Sequence, residues 1–290
     1  VEEAGAKTRT APGIDIDGRT RVVVLLAHPA GHLRTPPLFN ARCVARGVNM
    51  VLVPWDVAPD ALVRVVDGLR SVRNCAGMIV TIPHKASVVA CCDRLEGVAA
   101  DLGVVNVIRR ETDGTLVGRL HDGEGFVDGL RGQGIDPAGK RVLVLGAGGA
   151  GTAIAGAFAQ SGTARLVIAN RDRRRASELV ARLRALHPGE PIESGEADGR
   201  GFDLIVNATS VGLDGDPGIP IRPETIDAGC VVAEAVMKPA MTPLLRAAQS
   251  RGARIHLGEH MIAAQIDHFL RFLADPGAGT VSRTAPERRP

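Results

Sequence analysis

At 290 residues the chain is long enough for two domains and for a large core without covalent staples. Hydrophobic residues make up 45% and charged residues 23%, ordinary globular proportions; a net charge of +3 with 2% aromatics speaks against a nucleic-acid partner. No apolar run reaches the ~18 residues of a membrane span, and the polar start lacks the apolar stretch of a signal peptide, so a cytoplasmic location is expected.

Residues 21–27 (RVVVLLA) form a valine-rich run that suits a strand buried on both faces. A proline-containing loop over 28–37 leads into a helix ending at Gly47. A strand is expected at 51–53, a helix over 59–69, a strand at 77–82, a helix over 86–95, and short strands at 104–109 and 116–119. The second half opens at Arg141 with an apolar strand, a glycine turn and a helix of small residues. Strands at 164–171, 202–207, 230–235 and 254–257 follow, with helices over 174–186, 242–250 and 261–273. This alternation predicts an α/β protein. Its N-terminal α/β domain, 21–124, has a mostly parallel sheet; a dinucleotide-binding domain covers 125–258; residues 1–20 and 276–290 are expected to be flexible tails.

Cys43, Cys75, Cys91, Cys92 and Cys230 show no metal-ligand or redox spacing and read as reduced, mostly buried thiols. Lysine is scarce (Lys7, Lys85, Lys140 and Lys238), so a lysine inside a motif carries weight. His28, His32, His84 and His121 fall in loops near the expected ligand cleft, but their spacing matches no zinc motif, and no metal is expected.

Gly146, Gly148 and Gly151 spell G-x-G-x-x-G between a buried strand and a helix, the context that a dinucleotide fingerprint requires. The first glycine permits the tight turn, the second lets backbone approach a pyrophosphate, and the third packs helix on strand. The helix start offers free N–H groups to the phosphates, with Gly149 among them. The next strand ends in Asn170-Arg171, followed by Arg173, Arg174 and Arg175. A guanidinium suits a 2′-phosphate, which favours NADP, with NAD as the alternative; Asp172 cuts the other way.

Together these motifs resemble the shikimate dehydrogenase family across residues 22–273. The matching segments are VTIPHK (80–85), VNVI (105–108), HDGEGF (121–126), GAGGAG (146–151), NR (170–171), VNATSVGL (206–213), KPAMTPLL (238–245) and Gln265, in family order. The resemblance implies a substrate domain, a Rossmann domain, a last helix (261–273) that returns to the first domain, and a cleft between them. It implies that Lys85 and Asp122 flank a reacting hydroxyl, the lysine exchanging its proton as hydride moves to or from the nicotinamide. It further implies Thr35, Thr81, Asn106 and Gln265 as substrate contacts, and Thr209 and Gly258 beside the cofactor.

Several polar family positions are apolar here: Leu33, Ile79, Val107 and Met237. Arg34 and His121 are candidates to replace the lost contacts, Arg34 by pairing with a carboxylate. A site short of such partners discriminates poorly, so weak activity with shikimate and better activity with quinate or another hydroxy-carboxylate ring is expected. Two other readings stay open: a cofactor-binding sensor of the same fold with little catalysis, and a two-domain dehydrogenase of an amino acid or folate-like substrate. The expected partner is a small hydroxy-carboxylate, with no nucleic acid and no membrane; the oligomeric state is not fixed, and a homodimer is admitted.

Overall fold

The computed structural model describes residues 15–31 and 33–274. His32 and most of the two expected tails lie outside the described residues. The first half contains β1 (Arg21–Ala27), α1 (Thr35–Arg46), β2 (Met50–Asp56), α2 (Leu62–Arg70), β3 (Cys75–Val80), β4 (Arg94–Leu95), α3 (Val98–Leu102), β5 (Val107–Arg110), β6 (Leu116–Arg119) and α4 (Asp122–Gly132). The second half contains β7 (Arg141–Leu145), α5 (Gly149–Ala159), β8 (Arg165–Ala169), α6 (Arg173–Leu186), β9 (Ile192–Ser194), β10 (Leu204–Asn207), β11 (Val231–Glu234), α7 (Pro243–Ser250), β12 (Arg254–His256) and α8 (Glu259–Ala274).

Two six-stranded sheets result, in the orders β2-β1-β3-β5-β6-β4 and β12-β11-β10-β7-β8-β9. The second sheet is parallel throughout, as a doubly wound nucleotide-binding sheet should be. The first is parallel except at β5, which runs antiparallel to both β3 and β6. The mixed α/β class and the return of the last helix agree with the sequence reading.

Strand β1 shows why the first sheet is covered on both faces. Val24 and Leu26 face one core with Leu62, Val66 and Leu69 of α2. Val23 and Leu25 face another, made by Phe39 and Cys43 of α1 and by Ile262, Ile266, Phe269, Leu270, Phe272 and Leu273 of α8. Gly77 lets α8 come close: a Cβ there would lie 2.7 Å from Leu273 Cδ2 and 2.0 Å from Ile108 O.

The helix expected over 86–95 is not formed. Residues Ser87–Cys91 make a short 3-10 turn, and the chain then enters β4. The β-branched pair Val88-Val89 disfavours a long helix, and Asp93 ties the segment to the sheet by accepting from Leu116 N–H at 2.7 Å. Conversely, α4 and β9 form where the sequence reading had no element. Among the described residues no helix is long and apolar enough to cross a membrane.

Candidate active site

The carboxyl ends of β1 and β3 face those of β7, β8 and β10 across a cleft of about 1100 Å³, the place where open α/β sheets bind ligands. Its first-domain wall includes Thr35, Thr81, Lys85, Asn106 and Asp122. Met261, Ile262, Gln265 and Phe269 reach it from one face of α8, a stripe at helical spacing.

Lys85 and Asp122 meet in an ion pair on the cleft wall. Both are shielded, with side chains 14% and 4% exposed. Asp122 opens α4, where a carboxylate is favoured by the helix dipole. Its second oxygen accepts from Gln265 Nε2 at 2.6 Å, a bond spanning 143 residues of chain. Behind Lys85, the Val105 N–H donates to the Lys85 carbonyl at 2.9 Å. Asn106 is buried, and its Oδ1 accepts from His121 N–H at 2.9 Å. Its Nδ2 has no partner among the described residues. A buried donor left unpaired costs free energy, which a ligand oxygen would recover.

His121 is not a cleft residue. It is 3% exposed, donates through Nδ1 to Glu124 at 2.6 Å, and stacks on His268 beneath Phe269 and Phe272. Burial lowers its pKa, against the pull of Glu124. The long apolar side chains of α8 claim the space that its position in the motif suggested was ligand space. His84 is likewise buried and bonds Val57 O at 2.8 Å, while His28 pairs with Asp56 at 2.7 Å. Val107 also turns into the core with α8, whereas Leu33, Ile79 and Met237 do line the cleft. Arg34 stands at the head of α1 on the cleft wall, with no ion pair among the described residues.

The glycine fingerprint divides by role. Gly146, at φ +111°, needs the conformation that only glycine adopts readily, and a Cβ there would meet Ala208 O at 2.9 Å. Gly148 and Gly149 line the cleft at the start of α5, and a Cβ on Gly148 would meet no atom within 4 Å. Gly151 turns away from the cleft, where a Cβ would lie 2.1 Å from Gly146 O, so it serves packing. Gly258 is also a packing glycine, 2.3 Å by the same measure from Val236 O, and does not line the cleft.

Asn170 braces the turn: it accepts from Ala147 N–H at 3.1 Å and donates to Asp172 O at 2.9 Å. Thr209 donates its hydroxyl to Asn207 Oδ1 at 2.7 Å. Asp172 is the N-cap of α6 and accepts from Arg174 N–H at 3.0 Å. Its carboxylate caps its own helix while remaining on the cleft wall. Arg173 pairs with Glu196 at 2.8 Å and Arg175 with Asp172 at 3.6 Å. Arg171 lines the cleft without an ion pair among the described residues. The open glycine turn, the helix start and this guanidinium form a donor set that fits a dinucleotide carrying an extra phosphate.

Sequence reasoning missed Glu196 and Ser210 on the cleft wall, and the buried Glu234 behind it. Nothing in the local sequence marks Glu196, which arrives through a loop whose course depends on the second sheet; Ser210 belongs to the VNATSVGL segment, of which only Thr209 is singled out.

A nucleotide-binding sheet facing a shielded lysine–aspartate pair defines a two-domain dehydrogenase. The family model described as the shikimate dehydrogenase substrate binding domain matches residues 25–108, and that described as shikimate / quinate 5-dehydrogenase matches 132–212. A shikimate dehydrogenase (NADP(+)) of Rubrobacter xylanophilus is 41% identical over 256 residues, covering 86% of this chain and 89% of its own. That of Geobacter metallireducens is 38% identical, covering 87% and 90%. Among solved structures, a shikimate 5-dehydrogenase from Thermus thermophilus with NADP(H) and shikimate superposes with a TM-score of 0.81 at 28% identity, covering 89% and 96%. A quinate dehydrogenase from Corynebacterium glutamicum with NAD does so at 0.79 and 26%, covering 88% and 93%. The chain belongs to the shikimate dehydrogenase family.

Proposed function

We propose that this chain is an NADP-dependent oxidoreductase that interconverts a ring hydroxyl and a ketone on shikimate or a closely related hydroxy-carboxylate. The observation that carries this reading is the Lys85–Asp122 pair, locked by Gln265 and set across the cleft from the start of α5. Gly146, Gly148, Gly149 and the α5 N-terminus would hold the pyrophosphate, and Arg171 the 2′-phosphate. When bound, the nicotinamide supplies or accepts the hydride.

The chain's own residues handle the proton and the position. Lys85 Nζ gives a proton to the substrate oxygen in reduction and takes it in oxidation. Asp122 aims the lysine, and Gln265 fixes the rotamer of Asp122. Asn106 Nδ2 offers its unused N–H to a ring hydroxyl, with Thr35, Thr81 and Gln265 on the remaining polar wall. A pure sensor would need no such proton relay, which favours catalysis over that reading.

The apolar wall of Leu33, Ile79 and Met237 supports a shifted substrate preference. A pocket that has lost partners for shikimate's own polar groups discriminates poorly for that substrate, so turnover with quinate or another hydroxy-carboxylate should exceed that with shikimate. The test is absorbance of the reduced nicotinamide with NADP or NAD against a panel of shikimate, quinate and related acids. Lys85→Met should lower kcat by about 10²–10⁴ while cofactor binding persists; unchanged turnover in the folded variant would remove Lys85 from the mechanism. A kcat/KM for shikimate far above every analogue would remove the substrate proposal.

Every group named lies on one chain, so a homodimer is compatible with the activity but not required by it. Five free cysteines, four of them buried, support a reducing, cytoplasmic setting.

A further inference from the structure

Glu234 ends β11 and is fully buried. Its carboxylate accepts from Thr242 Oγ1 at 2.7 Å, from Asn207 Nδ2 at 3.0 and 3.2 Å, and from Val236 N–H at 3.3 Å. Every partner is neutral, and no cation comes within ion-pair distance among the described residues. The same Asn207 amide donates to Val211 O at 3.1 Å, and its oxygen accepts from Thr209 N–H at 3.0 Å and Thr209 Oγ1 at 2.7 Å. Val211 N–H closes the ring on Thr209 Oγ1 at 3.0 Å. Two cleft segments therefore hang on one carboxylate: Thr209, Ser210 and Val211 on one side, Val236 and Met237 on the other. A further bond, Asp214 N–H to Lys238 O at 2.8 Å, joins the two loops beyond it.

We propose that Glu234 is the positioning residue of the cofactor wall: as a carboxylate it draws the Asn207–Val211 loop and the Val236–Met237 segment into one surface beside Gly146. The inference rests on the cofactor reading given above. The donor pattern demands the ionised form. Asn207 Nδ2 and Val236 N–H can only donate. A proton on the oxygen that faces them would put three donors together. A proton on the other oxygen forces Thr242 Oγ1, which already accepts from Leu245 N–H at 3.2 Å, to accept twice and to redirect its own hydrogen.

Burial nevertheless pushes the Glu234 carboxyl up to about 7, so the wall loosens on mild acidification. The titratable groups on the packed segments are Lys238 and Asp214, exposed and 3.9 Å apart, and His256 on β12, in register with Ala233. None of these forms a hydrogen bond or ion pair with Glu234.

The experiment measures NADPH affinity by its fluorescence, and KM for NADP and kcat, from pH 5.5 to 9. For the wild type, Kd and KM should rise about tenfold as pH falls through 7, with kcat at saturation changing much less. Glu234→Gln carries the neutral form at every pH: its affinity should be about tenfold weak at pH 8.5 and should no longer respond to pH around 7. The cofactor's own 2′-phosphate titrates near about 6, so the series is repeated with NADH, where the difference between wild type and variant should persist. Thr242→Val keeps the carboxyl but removes one donor to its charged form, and should move the midpoint to higher pH; it decides the matter should Glu234→Gln not fold. A Glu234→Gln profile with the wild-type midpoint, or an unmoved midpoint in Thr242→Val, overturns the inference. No cofactor binding by the wild type at any pH would instead overturn the cofactor reading.

Discussion

Three arginines follow the end of β8 on the cleft wall, and their partners sort them. Arg173 and Arg175 are engaged with Glu196 and Asp172, while Arg171 is not engaged in any ion pair among the described residues. Removing it should therefore be felt by one cofactor and not the other. A hydrogen bond to a charged group is worth about 1.5–3 kcal/mol, and salt screening places an exposed pair at the low end. Arg171→Ala should raise KM for NADP roughly tenfold and leave KM for NAD almost unchanged; equal effects on both would place the 2′-phosphate elsewhere. Gln265 permits a sharper test. Gln265→Leu leaves one Asp122 oxygen buried without its donor, so kcat should fall about tenfold or more while KM for the cofactor holds. Arg171, Lys85, Asp122 and Gln265 could be read from the sequence because each lies in a short motif or at a strand end. His121 and Val107 could not be placed, because which way a side chain turns at a strand end depends on α8, which arrives some 140 residues later. Glu234 escaped notice because a carboxylate closing an apolar strand gives no sign of whether it faces water or core.

At the level of elements, α4 was hidden by its own composition. Gly123, Gly125, Gly129 and Gly132 each cost about 1 kcal/mol in a helix, so local propensity argues against it. Packing explains three of them. A Cβ on Gly123 would lie 2.1 Å from Ala153 O of α5, one on Gly125 2.8 Å from Gln265 Cβ, and one on Gly129 2.9 Å from His260 O. α4 is thus wedged between the nucleotide helix and the returning helix, and its closeness to α8 sets the Gln265–Asp122 bond. Gly129→Ala should force backbone apart, since overpacking costs about 1–3 kcal/mol against an alanine gain of at most about 1. The expected outcome is a melting point lower by a few degrees and a reduced kcat. Gly132→Ala, with nothing within 4 Å of its Cβ, should melt no lower than the parent. If both variants behave alike, the wedge has no energetic meaning. The strongly periodic helices and the valine-rich strands were legible because their pattern is local; α4, β9 and the turn over 87–91 were not, because contacts distant in sequence decide them.

At the scale of the molecule, two buried groups respond to acid in opposite senses. His256 is 2% exposed with neither ring nitrogen bonded, and burial drops its pKa from 6.5 to about 4. The unfolded chain takes up that proton near pH 6.5 and the folded chain only near 4, so folding loses about 3 kcal/mol across this window as pH falls. Glu234 runs the other way: the folded chain takes up its proton near 7 and the unfolded chain near 4.5, so folding gains by a similar amount. Between these limits the two states hold the same number of protons on this pair, and the pair adds no slope. His256→Leu should make the protein gain stability from pH 7 to 5, and Glu234→Gln should make it lose stability, each read as the change in melting temperature; parallel curves for all three proteins would refute the compensation. The course of α8 carries a different consequence, for the way the chain is made. One face of the first sheet, with Val23, Leu25, Ile79 and Val107, is covered in part by Phe39 and Cys43 of α1 and completed by residues 262–273. During synthesis the part of that face under α8 waits, uncovered, while the whole nucleotide-binding half emerges. Completion on the ribosome thereby runs against the order of the sequence: the first sheet is finished only when α8 leaves the tunnel, after the nucleotide-binding half has been made.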